Sequence, residues 1–98
     1  MPYELALPLS TKRAGWKVKI LDKERLEPPH VTILFRSKAW RLSLRDKVFL
    51  YPPGGSWKDV PSELRRAIAD NWKTLVRTWD TMYPQNPVMG TDDDGGQR

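Results

Sequence analysis

Trp16-Lys17-Val18-Lys19-Ile20 alternates apolar and charged residues at a period of two. Such alternation marks a strand with one buried and one wet face, so Lys17 and Lys19 point outward. The run His30-Val31-Thr32-Ile33-Leu34-Phe35-Arg36 is β-branched and aromatic. It reads as a second strand with Val31, Ile33 and Phe35 inside, and His30, Thr32, Leu34 and Arg36 on the other face. Between them, Asp22 to Pro29 is a charged turn whose Pro28-Pro29 pair donates no ladder hydrogen bond and so limits where pairing starts. Trp40-Arg41-Leu42-Ser43-Leu44-Arg45 repeats the alternation, and Asp46-Lys47 connects it to Val48-Phe49-Leu50-Tyr51. These are strands three and four. Pro52-Pro53-Gly54-Gly55-Ser56 then ends the sheet.

From Pro61 the period changes. Leu64, Ile68, Trp72, Leu75, Val76, Trp79, Met82 and Tyr83 recur every three or four residues, which predicts one long amphipathic helix. Asp59 is expected to cap it, with Pro61 in its first turn and Glu63 near the positive end of its dipole. Pro84 stops it near Tyr83, and residues 84–98 are expected to form a flexible tail. The fold class is thus α+β: a four-stranded antiparallel sheet packed on one C-terminal helix, forming one domain over residues 1–83. A helix of about 22 residues is about 33 Å long, whereas four strands about 4.8 Å apart span only about 20 Å. The helix end therefore overhangs the sheet, and Trp79, Met82 and Tyr83 need another apolar surface. Tyr3, Leu5, Leu7 and Leu9, alternating as a fifth, edge strand, supply one candidate. A second subunit supplies the other, which makes Trp79, Met82 and Tyr83 a candidate partner interface.

Composition narrows the chemistry. The chain of 98 residues has room for one core, and its five Trp, three Tyr and two Phe provide the bulky surface to build it. It contains no cysteine, so disulfides, thiolate nucleophiles and cysteine metal sites are excluded, and a reducing compartment suits it. Met1 to Arg13 places apolar residues before basic ones, the reverse of an export signal. With no run of roughly 18 apolar residues, no membrane span is expected, and the reading is cytoplasmic. The net charge is +5, and residues 1–58 carry 12 Lys/Arg against 5 Asp/Glu, or +7. A basic field over the first half favours phosphate-rich or acidic partners.

Lys17, Lys19, Arg36, Arg41 and Arg45 are expected together on the outer sheet face as a candidate RNA- or DNA-binding surface, unless that face is simply solvated. Trp16 and Trp40 fall on the buried register and add no exposed stacking ring there. His30, the one histidine, is the only candidate for acid/base catalysis, and a histidine pair for metal or proton relay is impossible within one chain. Trp57 either stacks on a partner or staples its own loop. Gly54-Gly55 lacks phosphate-loop spacing, Asp92-Asp93-Asp94 lacks a calcium-loop pattern, and neither a metal nor a cofactor is expected. On the helix, Arg66 with Asp70, Asp70 with Lys73, and Arg77 with Asp80 have ion-pair spacing.

The strand, the Pro28-Pro29-His30 corner and the amphipathic helix together resemble a small bacterial domain family of unknown function marked by a Pro-Pro-His-Phe-His motif. Members are often encoded in pairs similar to toxin–antitoxin pairs. Val31 and Thr32 stand where that motif has Phe-His, so paired-histidine chemistry is not implied. Two functions are expected from these features. One is a basic binding module, toxin–antitoxin-like or regulatory, acting through protein contacts or self-association. The other is a nucleic-acid-binding protein or toxin-like nuclease using the basic face with His30.

Overall fold

The computed structural model describes residues 2–22 and 27–89. Its elements are β1 (Tyr3–Glu4), α1 (Leu9–Ala14), β2 (Trp16–Ile20), β3 (His30–Phe35), β4 (Lys38–Ser43), β5 (Phe49–Tyr51), a 3₁₀ turn (Trp57–Asp59), α2 (Ser62–Asp70) and α3 (Trp72–Met82). The five strands form one antiparallel sheet in the order β1-β2-β3-β4-β5, so every strand pairs with its neighbour in sequence. The expected α+β class holds, with the fifth strand present at the edge. No described helix is long and apolar enough to cross a membrane.

The alternation read from the sequence does set the inner face. Trp16, Val18 and Ile20 of β2 lie beside Val31 and Ile33 of β3 and Trp40 and Leu42 of β4, and all are buried. Leu64, Ile68, Leu75, Trp79 and Tyr83 of the helical layer and its end close over them in one apolar cluster. Trp16 stacks on Phe35 at 4.3 Å and on Trp40 at 5.6 Å between ring centroids, filling the end of the core.

Several boundaries differ from the periodic reading. The edge strand is only two residues long, pairing with β2 at Tyr3 and Glu4, and Pro8 occupies the cap position of α1, which opens at Leu9 where the alternation expected a strand residue. Leu5 is buried and Tyr3 and Leu7 pack on the core, but Leu9 faces solvent. The long helix is two helices. Asn71, at φ −110°, interrupts it by donating from its backbone to the Ala67 and Ile68 carbonyls and from its Nδ2 to the Ala67 oxygen at 2.8 Å. A side chain that competes for backbone carbonyls in this way breaks the regular ladder while the apolar stripe continues across it. Asp59 does not cap α2. It forms a capping box with Ser56 around the preceding 3₁₀ turn, and Pro61 occupies the cap position of α2.

Residues 84–88 are not the free tail expected of them. Arg45 donates to the carbonyls of Val88 at 2.9 Å and Pro87 at 3.0 Å and to Asn86 Oδ1 at 3.3 Å, while Val88 N–H donates to Asp80 Oδ1 at 2.8 Å. Val88 is consequently buried. A run without periodicity has nonetheless been anchored, by main-chain groups that hydropathy does not register. The remainder of the expected tail, residues 90–98, lies outside the described residues.

Gly15 ends α1 at φ 105°, with its N–H returned to the Lys12 and Thr11 carbonyls. A Cβ there would meet the Phe35 ring at 3.9 Å, an ordinary contact, so any penalty comes from the backbone. Gly15→Ala should cost about 1–2 kcal/mol in urea unfolding, the expense of a left-handed conformation for a residue with a Cβ.

Candidate functional site

One row of side chains crosses all five strands on the outer face. The register pairs Glu4 with Lys19, Lys19 with Thr32, Thr32 with Arg41, and Arg41 with Tyr51. Directly opposed residues share a face. The last pairing depends on a register shift: Arg41 and Leu42 are adjacent on β4 but face Tyr51 and Phe49, which are two apart on β5. Leu50 is therefore the extra, bulged residue, and the shift sends Phe49 inward and Tyr51 outward. Tyr51 is 51% exposed with the Arg41 guanidinium 5.9 Å from its ring centroid. Sequence reasoning missed this aromatic because Phe49 and Tyr51 would share a face in a regular strand.

The five basic residues expected on this face separate. Lys17, Lys19 and Arg41 lie on it. Lys19 is 3.8 Å from Glu4 and Arg41 is 3.3 Å from Glu27, so both already have a carboxylate neighbour. Arg36 leaves the face: it is the first residue of the two-residue link between Phe35 and Lys38, at φ 55°, the sign a tight hairpin requires there. Arg45 leaves too. The strand stops at Ser43, whose Oγ accepts from the backbone of Arg45 and Asp46, and the turned-away guanidinium holds residues 86–88.

The departure of Arg36 builds a second basic region. Lys12 and Arg13 occupy the last turn of α1, which lies against β2; Lys17 follows on β2; Arg36 and Lys38 flank the β3–β4 hairpin where Phe35 pairs with Lys38 and stacks on Trp16. All five cations are exposed, and none has a carboxylate within ion-pair distance among the described residues. Arg36 lies 4.9 Å over the Phe35 ring, which holds its charge at the sheet end.

His30 does not reach the basic face. It is 1% exposed, its ring centroid is 5.5 Å from that of Trp79, and its Nδ1 is 2.8 Å from the Pro28 carbonyl oxygen. A carbonyl only accepts, so Nδ1 carries the proton, and Nε2 faces Glu27 Oε1 at 3.9 Å. Enclosed in this way, the imidazole supports the core corner rather than meeting a substrate. The expected partner interface is likewise internal. Trp79 is 0% exposed and donates its indole N–H to the Asn86 carbonyl at 2.7 Å; Tyr83 is buried and donates its hydroxyl to the Leu21 carbonyl; Met82 is half-buried against the core. The overhanging helix end is covered by the chain's own residues 86–88 and its Pro28-His30 corner. Trp57 staples its loop, meeting Phe49 edge-on at 5.1 Å. The helix ion pairs Arg66–Asp70, Asp70–Lys73 and Arg77–Asp80 are not formed among the described residues. Asp92–Asp94 lie outside the described residues.

No family model matches the chain, and no curated protein or solved structure matches it either.

Thr32 Oγ1, at the centre of the row, is buried with no hydrogen-bond partner among the described residues. A buried unpaired hydroxyl costs about 1–3 kcal/mol. Thr32→Val should therefore leave stability unchanged or raise it by about 1 kcal/mol in chemical denaturation. Arg45→Gln should free the 86–88 segment, seen as faster amide hydrogen exchange at Val88 while the amides of β2 and β3 stay protected.

Proposed function

We propose that this chain is a non-catalytic nucleic-acid-binding module that takes a single strand along its open sheet face, with the hairpin end as the main phosphate contact. The observation that carries this reading is the set of five exposed cations, Lys12, Arg13, Lys17, Arg36 and Lys38, none with an acidic partner among the described residues, at the sheet end where Gly15, closing α1, lies beside Phe35 of the β3–β4 hairpin. Cations already neutralised by a carboxylate contribute little to counterion release, whereas free ones contribute fully. Lys17 joins this end to the outer face, whose far side offers the exposed Tyr51 ring beside Arg41. A positive track leading to an aromatic platform is what sequence-tolerant single-strand binders use, phosphates on the cations and a base on the ring. Burial of His30 favours binding over cleavage.

The test is fluorescence anisotropy with a short unstructured oligonucleotide at several salt concentrations. Affinity should fall steeply as salt rises, and Arg36→Glu with Lys38→Glu should weaken it about tenfold or more and flatten the salt slope. Tyr51→Ala should cost about 1–3 kcal/mol of binding, with little effect on stability at so exposed a site. Affinity indifferent to salt and to the double reversal would dispose of the proposal.

A further inference from the structure

A second surface, built from other elements, has the opposite character. An open groove of about 450 Å³ is floored by Leu44, Trp72, Val76 and Val88, with Met89 at its rim, and its charged walls are Arg45, Lys73 and Arg77. Among the described residues no carboxylate lines it. Met89 is 89% exposed, and Trp72 and Val76 are only half-buried although they continue the apolar stripe of α3.

The spacing within α3 is informative. Trp72 and Val76 stand four residues apart, as do Lys73 and Arg77, so an apolar stripe and a basic stripe run side by side, their members about 5–6 Å apart. Lys47 adds to the basic side, its Nζ 5.0 Å from the Trp72 ring centroid. The Arg45 guanidinium is committed to residues 86–88, but Lys73 and Arg77 have no carboxylate partner among the described residues. The floor is also held firmly, since Val88 is fixed by both Arg45 and Asp80.

From this geometry we infer that the groove docks an acidic amphipathic helix of a partner protein, its apolar face on Trp72, Val76 and Met89 and its carboxylates on Lys47, Lys73 and Arg77. Two parallel stripes at helical spacing complement a helix with an apolar stripe flanked by Glu or Asp, and such helices recognise grooves through anchors at i, i+3, i+4 and i+7. An anionic amphiphile shares the chemistry, but small-ligand sites enclose most of their ligand's surface, and this groove lies open along its length.

The experiment is an NMR titration of the isotope-labelled full chain with a synthetic helical peptide bearing leucines at helical spacing and flanking glutamates. A counterpart peptide with lysines in place of the glutamates serves as comparison. Shifts should concentrate at residues 44–47, 72–77 and 88–89, and the lysine peptide should produce none. Lys73→Glu with Arg77→Glu, exposed positions that leave the core intact, should weaken binding about tenfold, and Val76→Ser should weaken it further. An unchanged melting temperature for the double reversal establishes that the loss is not unfolding. Three results would each overturn the inference: no shifts at the groove, equal shifts with the lysine peptide, or groove shifts caused by a medium-chain fatty acid but not by the peptide. A fourth would do the same: groove resonances that move when Asp92, Asp93 and Asp94 are replaced by Asn without peptide, since the chain's own carboxylates would then be the occupant.

Discussion

The burial of Trp79 is the constraint on which the rest of this structure turns. A tryptophan inside a core must bring its indole N–H to an acceptor or carry the cost of an unpaired donor. Here the acceptor is the Asn86 carbonyl, which draws the chain beyond Pro84 back over the sheet end. Asn86 then donates its side-chain amide to the Glu27 carbonyl at 2.7 Å, and Arg45 binds the three residues Asn86, Pro87 and Val88 from the far side. The last helix, the Pro28-His30 corner, the β4–β5 link and the terminal segment are thereby fastened at one point. His30 and Tyr83, whose rings lie 5.5 Å and 4.2 Å from that of Trp79, complete the packing.

This closure decides which surfaces are left for function. Arg45 and His30 have chemistry that would be useful on a surface, and both are used to seal the corner. Lys17 on the outer sheet face and the cations of the hairpin end stay available, and the helical layer keeps half of the Trp72–Val76 stripe open. The two proposed surfaces thus come from different elements: a basic, hydrated track for a polyanion, and an apolar groove with a basic edge. Both draw on an excess of positive charge, but they would respond differently to salt, because burial of apolar area is far less sensitive to screening than phosphate contact.

Charge partnership matters more here than charge count. Lys19 and Arg41 lie on the face that the sequence pattern assigns them, yet each meets a glutamate contributed by a distant part of the chain. Lys12, Arg13 and Lys38 belong to no alternating outer face, yet none forms an ion pair with a described carboxylate. The potential is therefore displaced from the middle of the sheet toward its hairpin end. A bulge at Leu50 works in a similar way on the aromatic residues, bringing Tyr51 beside Arg41 when a regular strand would have hidden one ring with the other.

Local pattern was sufficient for the strands, their antiparallel order, the inner residues Trp16, Val18, Ile20, Val31, Ile33, Trp40 and Leu42, and the apolar stripe from Leu64 to Tyr83. Period and burial are linked residue by residue, so these could be read directly. The break at Asn71, the two-residue edge strand and the turn at Arg36 depend on side-chain or backbone hydrogen bonds that hydropathy does not encode. Long-range pairing decided the rest. Whether Arg45 faces solvent, whether His30 is reachable and whether Trp79 is surface or core all depend on residues 86–88, a segment with no periodic signal whose position is set by main-chain carbonyls reaching partners more than forty positions away in sequence. Periodicity shows which side of an element is apolar, and only the tertiary structure shows what comes to lie upon it.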